Sequence, residues 1–324
     1  MSITAKIQGL NEVVDVSDWK RDEATGEAFP EGSREKALYV APSKKKYNFI
    51  IPLHHYLFKL SFSRYPEQFW GEIIAYKIGI LVGVEVPPTF VAINKNENKT
   101  GALIEWFLGY PFTRSEVKAS GALYMQLLIK DYDIAKGKQH NFQAIRRLFE
   151  ALKFGQHKWD INWVEHWTKV LAFDTLIGNT DRHQDNWGII WKYENKRLAP
   201  SRVTPIFDNG TSMGHEILEN HFTDFDKEER IRKYISRGSH HMKWDLQESQ
   251  KLSQVEFLQR LIVEYPEMKS VIAGLMKFDT TRLENDIMEL TKFKVPCPLS
   301  YKRAKFIVKL LAFRQKNILS IFGN

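Results

Sequence analysis

The hydrophobic period of the chain changes about a third of the way along, and this change constrains the fold more than any other feature. Residues 37–41 and 47–60 are strand-like apolar runs separated by the turn-forming Pro42, Ser43, Lys44, Lys45 and Lys46. Residues 67–81 shift to helical spacing through Trp70, Ile73, Ile74, Ile78 and Leu81, and Gly83 stops the run in the usual C-terminal position. Beyond Pro87 and Pro88, residues 89–93 and 102–107 read as two further strands joined by the polar turn 94–100. From about residue 111 the spacing is mostly helical, over 124–132, 143–154, 159–177, 250–264 and 281–290, with a short hairpin of 188–193 and 201–207. The clearest core-facing stripe is Trp163, Val164, Trp167, Val170, Leu171 and Leu176. Residues 301–322 form a basic amphipathic segment expected to pack on the body. The predicted architecture is α+β and bilobal. A small β-rich lobe spans 1–108, with 1–32 a polar lead-in carrying at most one short strand, and a larger helical lobe spans 109–324.

Composition narrows the function classes. With 324 residues, 43% hydrophobic and 13% aromatic, the chain can bury a sizeable core, which excludes a disordered or fibrous molecule. Cys297 is the only cysteine. That rules out an internal disulfide, a cysteine-based zinc site and a Cys-x-x-Cys redox pair, and it suits a reducing compartment. No run of about eighteen apolar residues is present, so no transmembrane segment is expected. The first residues lack the layout of a secretory signal. The formal charge of +8 permits a polyanionic partner without selecting one. No nucleic-acid motif is readable.

The stretch 177–190, followed by 205–210, carries the chemistry. Asp181 and Asn186 lie five apart, and Asp208 follows two short strands later. Phosphoryl transfer needs a carboxylate beside the incoming hydroxyl and hard oxygen ligands for the magnesium that bridges nucleotide phosphates. Asp-x-x-x-x-Asn followed by a strand-borne Asp supplies both. Either fragment alone is as well explained by a capped turn; both together, after a five-element sheet lobe, are not. His183 fits a general base or, with more weight, a histidine that holds the loop's shape. Arg182 is open between a phosphoryl group and an acidic residue of the next loop.

In the first lobe, Lys59 ends an alternating strand through Tyr56, Phe58 and Leu60, and Glu72 at the start of the next helix is placed to pair with it. Gly32, Ser33 and Lys36 precede or open the first strand, where backbone amides could fold over phosphates. Residues 238–242, with His240 and His241 adjacent, read as a surface loop; side chains at neighbouring positions diverge and do not favour one metal ion.

Taken in order, these segments resemble the HipA-like serine/threonine kinases, distant relatives of eukaryotic protein kinases and phosphoinositide kinases. Residues 32–36 look like that family's Gly-x-Gln-x-Lys phosphate loop, with Arg34 in place of the glutamine. Residues 57–60 look like its ATP-lysine strand, 71–87 like its helix and exit turn, and 102–107 like the hinge strand whose backbone holds adenine. Residues 179–186 and 205–208 look like its catalytic loop and metal-binding strand. The resemblance covers roughly residues 30–215. It implies a bilobal protein-kinase-like fold that uses ATP and Mg²⁺. It also implies Asp181 as catalytic base with His183 beside it, Asn186 and Asp208 as metal ligands, and Gly32, Ser33, Lys36, Lys59 and Glu72 at the phosphates, with Glu105 and Phe107 at the adenine edge. The family's long N-terminal subdomain has no counterpart ahead of Gly32, so the chain looks like the shortened members. The serine that full-length members autophosphorylate falls near Phe29, so that self-inactivation does not carry over, and nothing in the sequence supports Ser33 as its substitute.

The leading expectation is therefore a serine/threonine protein kinase acting on a protein substrate. The resemblance also implies a bacterial cytoplasmic location, and it leaves open an antitoxin-like partner, a toxin role, autophosphorylation and export as an effector. A phosphoinositide or small-molecule kinase would share the Asp-Arg-His-x-x-Asn loop. A non-catalytic module binding nucleic acid or a partner is the reading from another class.

Overall fold

Alternation and turns build the first sheet. In the computed structural model, which describes residues 5–22, 34–110, 115–194 and 197–323, two short strands, β1 (Val14–Asp15) and β2 (Lys20–Arg21), precede β3 (Lys36–Val40) and β4 (His55–Lys59). Helix α1 (Trp70–Val82) follows, then β5 (Thr89–Asn94) and β6 (Lys99–Glu105). The six strands form one sheet in the order β1-β5-β6-β4-β3-β2, antiparallel except for the β1–β5 pair. One face buries Val14, Tyr39, Phe49, Ile50, Tyr56, Phe58, Phe90 and Leu103 in a single apolar cluster.

The run 47–60, expected as one strand, forms a strand only over its last third. Leu53 adopts φ 59° and Pro52 has no N–H to give a ladder, so residues 42–53 become a loop. The hairpin closes instead where Ala41 N–H donates to His54 O at 2.9 Å. Phe49 and Ile50 still enter the core, from the loop. Helix α1 is buried nearly all round, from Trp70 through Gly79, as a helix packed on a sheet must be when apolar residues cover most of its faces. It ends at Gly83, whose φ of 75° is the left-handed conformation glycine adopts without strain.

The second half begins with a strand that spacing did not show, β7 (Glu116–Ser120), followed by α2 (Gly121–Leu128), α3 (Phe142–Phe154) and α4 (Trp163–Ile177). Asn141 and Asn162 cap α3 and α4 by accepting from Ala144 N–H and Glu165 N–H, so α4 starts later than the apolar run at Trp159 suggests. Strands β8 (Gly188–Glu194) and β9 (Arg197–Val203) pair with β7 into a three-stranded antiparallel sheet. Then come α5 (Glu228–Ser236), α6 (Gln254–Glu264), α7 (Met268–Leu275), α8 (Thr280–Leu290) and α9 (Tyr301–Leu319). Helix α6 opens on a capping box between Ser253 and Glu256. The short helices α5 and α7 were not apparent from spacing.

The chain divides into two compact units, one of residues 1–114, 209–223 and 279–309 and one of 115–208, 224–278 and 310–324. The sequence reading drew a single boundary after residue 108. In the first unit, later segments return to α1: Trp70 Nε1 donates to Cys297 O at 3.2 Å, and Arg303 pairs with Glu67 while donating to Gly214 O and Ile217 O. In the second unit, α9 buries Leu310, Leu311 and Ile318, and Gln315 donates to Met276 O and Phe278 O.

Candidate functional site

In the first unit, the pleat of β4 turns Tyr56 and Phe58 toward the apolar cluster, and Lys59 at the strand's end is buried too, 4% exposed. Its ammonium donates to Glu72 Oε1 at 2.9 Å, and Glu72 is 3% exposed. The same carboxylate accepts from Arg34 Nη2 at 3.2 Å and, through Oε2, from Asn209 N–H at 2.8 Å. A buried carboxylate is stable as an anion only when its lone pairs are filled by charge-assisted partners, and Glu72 has cations and an amide for that purpose. Gly210 makes room for the arrangement: a Cβ there would lie 2.2 Å from Arg34 Nη1. Lys36 sits in β3 directly across from Lys59. Gly32 and Ser33 lie outside the described residues.

Glu105 closes β6 and is buried. Its carboxylate pairs with Lys6 and accepts from Tyr56 OH at 3.1 Å and Tyr110 OH at 2.8 Å. Burial, reinforced by the Glu105 charge, pushes the Tyr56 phenol well above its ordinary pKa, so it remains a donor. The Glu105 N–H donates to Pro88 O at 2.8 Å and the Trp106 N–H to His55 O at 3.0 Å, so the sheet already uses both amides. Phe107, just beyond the strand, is buried and stacks on Trp106 with ring centroids 5.2 Å apart.

In the second unit, the loop after α4 is organised by Arg182, which is 1% exposed. Its guanidinium forks onto Asp174 of α4, Nε to Oδ2 at 3.0 Å and Nη2 to Oδ1 at 2.8 Å. Nη1 donates to Asn186 O at 3.2 Å and also to Phe207 O. The acid that Arg182 pairs with is thus Asp174, in the preceding helix. Burial raises the Asp174 pKa, opposed by the charge and hydrogen bonds of Arg182 and the Asn179 amide. Asn179 Oδ1 accepts from Asp181 N–H at 3.0 Å, and Asn186 Nδ2 donates to Asp181 O at 2.8 Å. His183 Nδ1 accepts from Asp185 N–H at 3.2 Å, and His183 N–H donates to Asp181 O at 2.8 Å, bonds that brace the turn. Asp208, which follows Phe207, adopts φ 56°. The bond from Asn186 Nδ2 fixes the amide's orientation and leaves Oδ1 as its hard oxygen.

Residues 238–242, expected at the surface, are largely interior. His240 is 1% exposed, with its Nε2 3.5 Å from Thr175 Oγ1 and its ring edge-on to Phe257, because Gly238 O accepts from Gln254 N–H and draws the segment against α6.

A family model, the HipA-like C-terminal domain, matches residues 30–274. The chain belongs to this family. The solved structure of the Helicobacter pylori proinflammatory kinase CtkA is similar to it with a TM-score of 0.69 and 18% identity, over 95% of this chain and 96% of that one. The two share one α+β fold. A structure of HipA from Shewanella oneidensis MR-1, solved with HipB and operator DNA, has a TM-score of 0.43 and 12% identity over 96% of this chain and 72% of that one. No curated protein matches the chain.

Two residues of this HipA-like chain escaped the sequence reading. Asp174 was detectable: it falls at the spacing of the buried stripe through Trp167, Val170 and Leu171, where an unpaired acid has no place. Lys118, in β7, left no such signal. Its ammonium donates to Asp185 O at 3.3 Å and lies 4.5 Å from the centre of the Phe207 ring. Burial lowers its pKa to about 8, against the Asp185 and Asp208 carboxylates, which favour the charged form. Among the described residues no three or more His, Cys, Asp or Glu side chains converge as a metal site. A donor set of one carboxylate, Asp208, and one amide oxygen, Asn186, is what Mg²⁺ takes when phosphates and water complete its shell. Among the described residues no helix is long and apolar enough to cross a membrane.

Proposed function

We propose that the chain is an ATP- and Mg²⁺-dependent kinase that transfers the γ-phosphoryl group to a serine or threonine hydroxyl of a protein. Membership of the HipA-like family and the fold shared with CtkA support phosphoryl transfer. The observation that carries the reading is the bracing of residues 181–186, in which buried Arg182 ties the carbonyls of both Asn186 and Phe207. That bracing, with the hydrogen bonds at the Asp181 backbone, fixes the loop that carries Asp181 and Asn186 and the turn into Asp208.

Asp181 accepts the proton of the substrate hydroxyl as its oxygen bonds to the γ-phosphorus; the bond to the β–γ bridging oxygen breaks, and ADP leaves. Lys59, oriented by Glu72, steadies the phosphates. Asn186 and Asp208 would hold the metal, which when bound neutralises phosphate charge. His183 keeps the loop's shape. The Glu105 carbonyl and the Phe107 backbone receive the adenine, and Lys36 meets the phosphates, a role the family resemblance also gives Gly32 and Ser33.

The test is transfer from γ-labelled ATP with Mg²⁺ to a panel of protein substrates, serine/threonine peptides and phosphoinositide vesicles. Label on protein hydroxyls is expected, falling about 10²–10⁴-fold in Asp181→Asn and lost in Asp208→Ala. Wild-type transfer by Asp208→Ala would overturn the reading. Label on vesicles alone would make the chain a lipid kinase. No transfer, with salt-steep nucleic-acid binding, would make it a binding module.

A further inference from the structure

We infer that Lys118 is a further substrate-binding residue of this site, a cation that contacts the terminal phosphate of the nucleoside triphosphate from the side of Asp208. The inference rests on the kinase reading and adds to it a residue from β7, an element that carries none of the other groups.

The argument begins with what the ammonium lacks. Lys118 is half-buried, and an ammonium drawn partly out of water is stable where acceptors face it. Among the described residues, Lys118 has one hydrogen bond, the 3.3 Å bond to Asp185 O, and the face of Phe207. An ammonium has three N–H donors and no acceptor, so two remain. Asp185 and Asp208 attract the charge, yet neither carboxylate comes within ion-pair distance. The stem is also given a path. In the β7–β8 ladder Lys118 lies across from Ile190 and Ser120 across from Gly188, and a Cβ at Gly188 would sit 3.2 Å from Lys118 Cε. Phe207 and Asp208 are consecutive, so the ring beneath the ammonium adjoins the residue proposed to hold the metal.

A cation with spare donors, set at a distance from two carboxylates, is matched by a group that is anionic, rich in acceptors and able to bind a metal on another oxygen. A terminal phosphoryl group has those three properties with three oxygens to share between ammonium and metal; a carboxylate has only two and a hydroxyl carries no charge. Since Asp181 is placed for the incoming hydroxyl, the phosphate at this end is the one transferred, and ADP does not carry it.

The experiment measures Mg²⁺-dependent binding of ADP and of a non-hydrolysable ATP analogue to the full chain by calorimetry, alongside transfer kinetics. Loss of one charge-assisted contact predicts that Lys118→Met weakens the analogue about 10- to 100-fold while ADP stays within about twofold, and that Lys118→Arg restores most of the difference. Thermal unfolding checks that Lys118→Met folds; should it not, the analogue-to-ADP affinity ratio of Lys118→Gln takes its place. If both nucleotides weaken together, Lys118 only props the Asp185 carbonyl and the inference is overturned. An unchanged ratio overturns it as well, with the kinase reading intact provided the wild type still transfers phosphate. A wild-type chain that neither binds nucleotide nor transfers phosphate overturns both.

Discussion

Asp174 and Arg182 form a forked ion pair in which the two side chains are 0% and 1% exposed. It fastens the last turns of α4 to the loop that follows. Breaking one side of such a pair leaves a buried charge uncompensated, which costs more than the pair itself contributes. Arg182→Met should destabilise the chain by about 3–5 kcal/mol, seen as a lower urea midpoint. The double variant Asp174→Leu/Arg182→Met should recover part of that loss. A single variant as stable as the wild type would show that the loop is held by something else.

Glu72 is the acceptor shared by Lys59, Arg34 and the Asn209 amide. Glu72→Gln keeps the volume and removes the charge that fixes Lys59. Under the proposed function, kcat/KM for ATP should fall about 10- to 100-fold, the range for one lost charged hydrogen bond. Steady-state kinetics across ATP concentrations would check it.

Two glycines should respond to alanine in opposite directions. At Gly101, in β6, a Cβ would lie 2.7 Å from Lys59 O and 2.8 Å from Phe58 Cε2, neither free to retreat within the sheet. Gly101→Ala should cost about 1–3 kcal/mol. At Gly274, in α7, a Cβ meets nothing within 4 Å. Gly274→Ala should add about 0.5–1 kcal/mol, the helix preference for alanine. Differential thermal unfolding of the two variants is the measurement.

His140 and His240 lie in the interior, and burial lowers both pKa values to about 3, below the 6.5 of a solvated imidazole. Below pH 6.5 the unfolded chain therefore takes up protons that the folded chain refuses. The stabilisation from neutral burial is complete above 6.5 and is lost as pH falls from there toward 3. Each histidine should contribute a slope of about 1.4 kcal/mol per pH unit in that window. Denaturant unfolding at pH 7, 6 and 5 would show it, with His166 and His241, lowered to about 4, adding to the slope, and His240→Leu should remove one histidine's share.

The elements most legible in the sequence were those whose period is local. The stripe of Trp163, Trp167, Val170 and Leu171 marked α4, and the alternation of Tyr56 and Phe58 marked β4. Residues 47–53 misled because an apolar run has the same composition whether it extends as a strand or folds back as a core-filling loop; Leu53 at positive φ decided the matter. Strand β7 was missed because it depends on pairing with β8, about seventy residues away in sequence. At the candidate site, spacing is what proposes Asp181, Asn186 and Asp208, whereas Lys118 was one lysine among many.

From the sequence alone follow the order of sheet and helix, the absence of cysteine chemistry, and the loop carrying Asp181 and Asn186, because those properties depend on neighbours a few positions apart. Tertiary structure alone decided that Glu72 receives Arg34 besides Lys59, that Arg182 turns back to Asp174, and that Lys118 stands beside Phe207. Such pairings join residues with no fixed sequence separation, and burial makes them: once water is excluded, each charge is stable only where the fold brings it a partner.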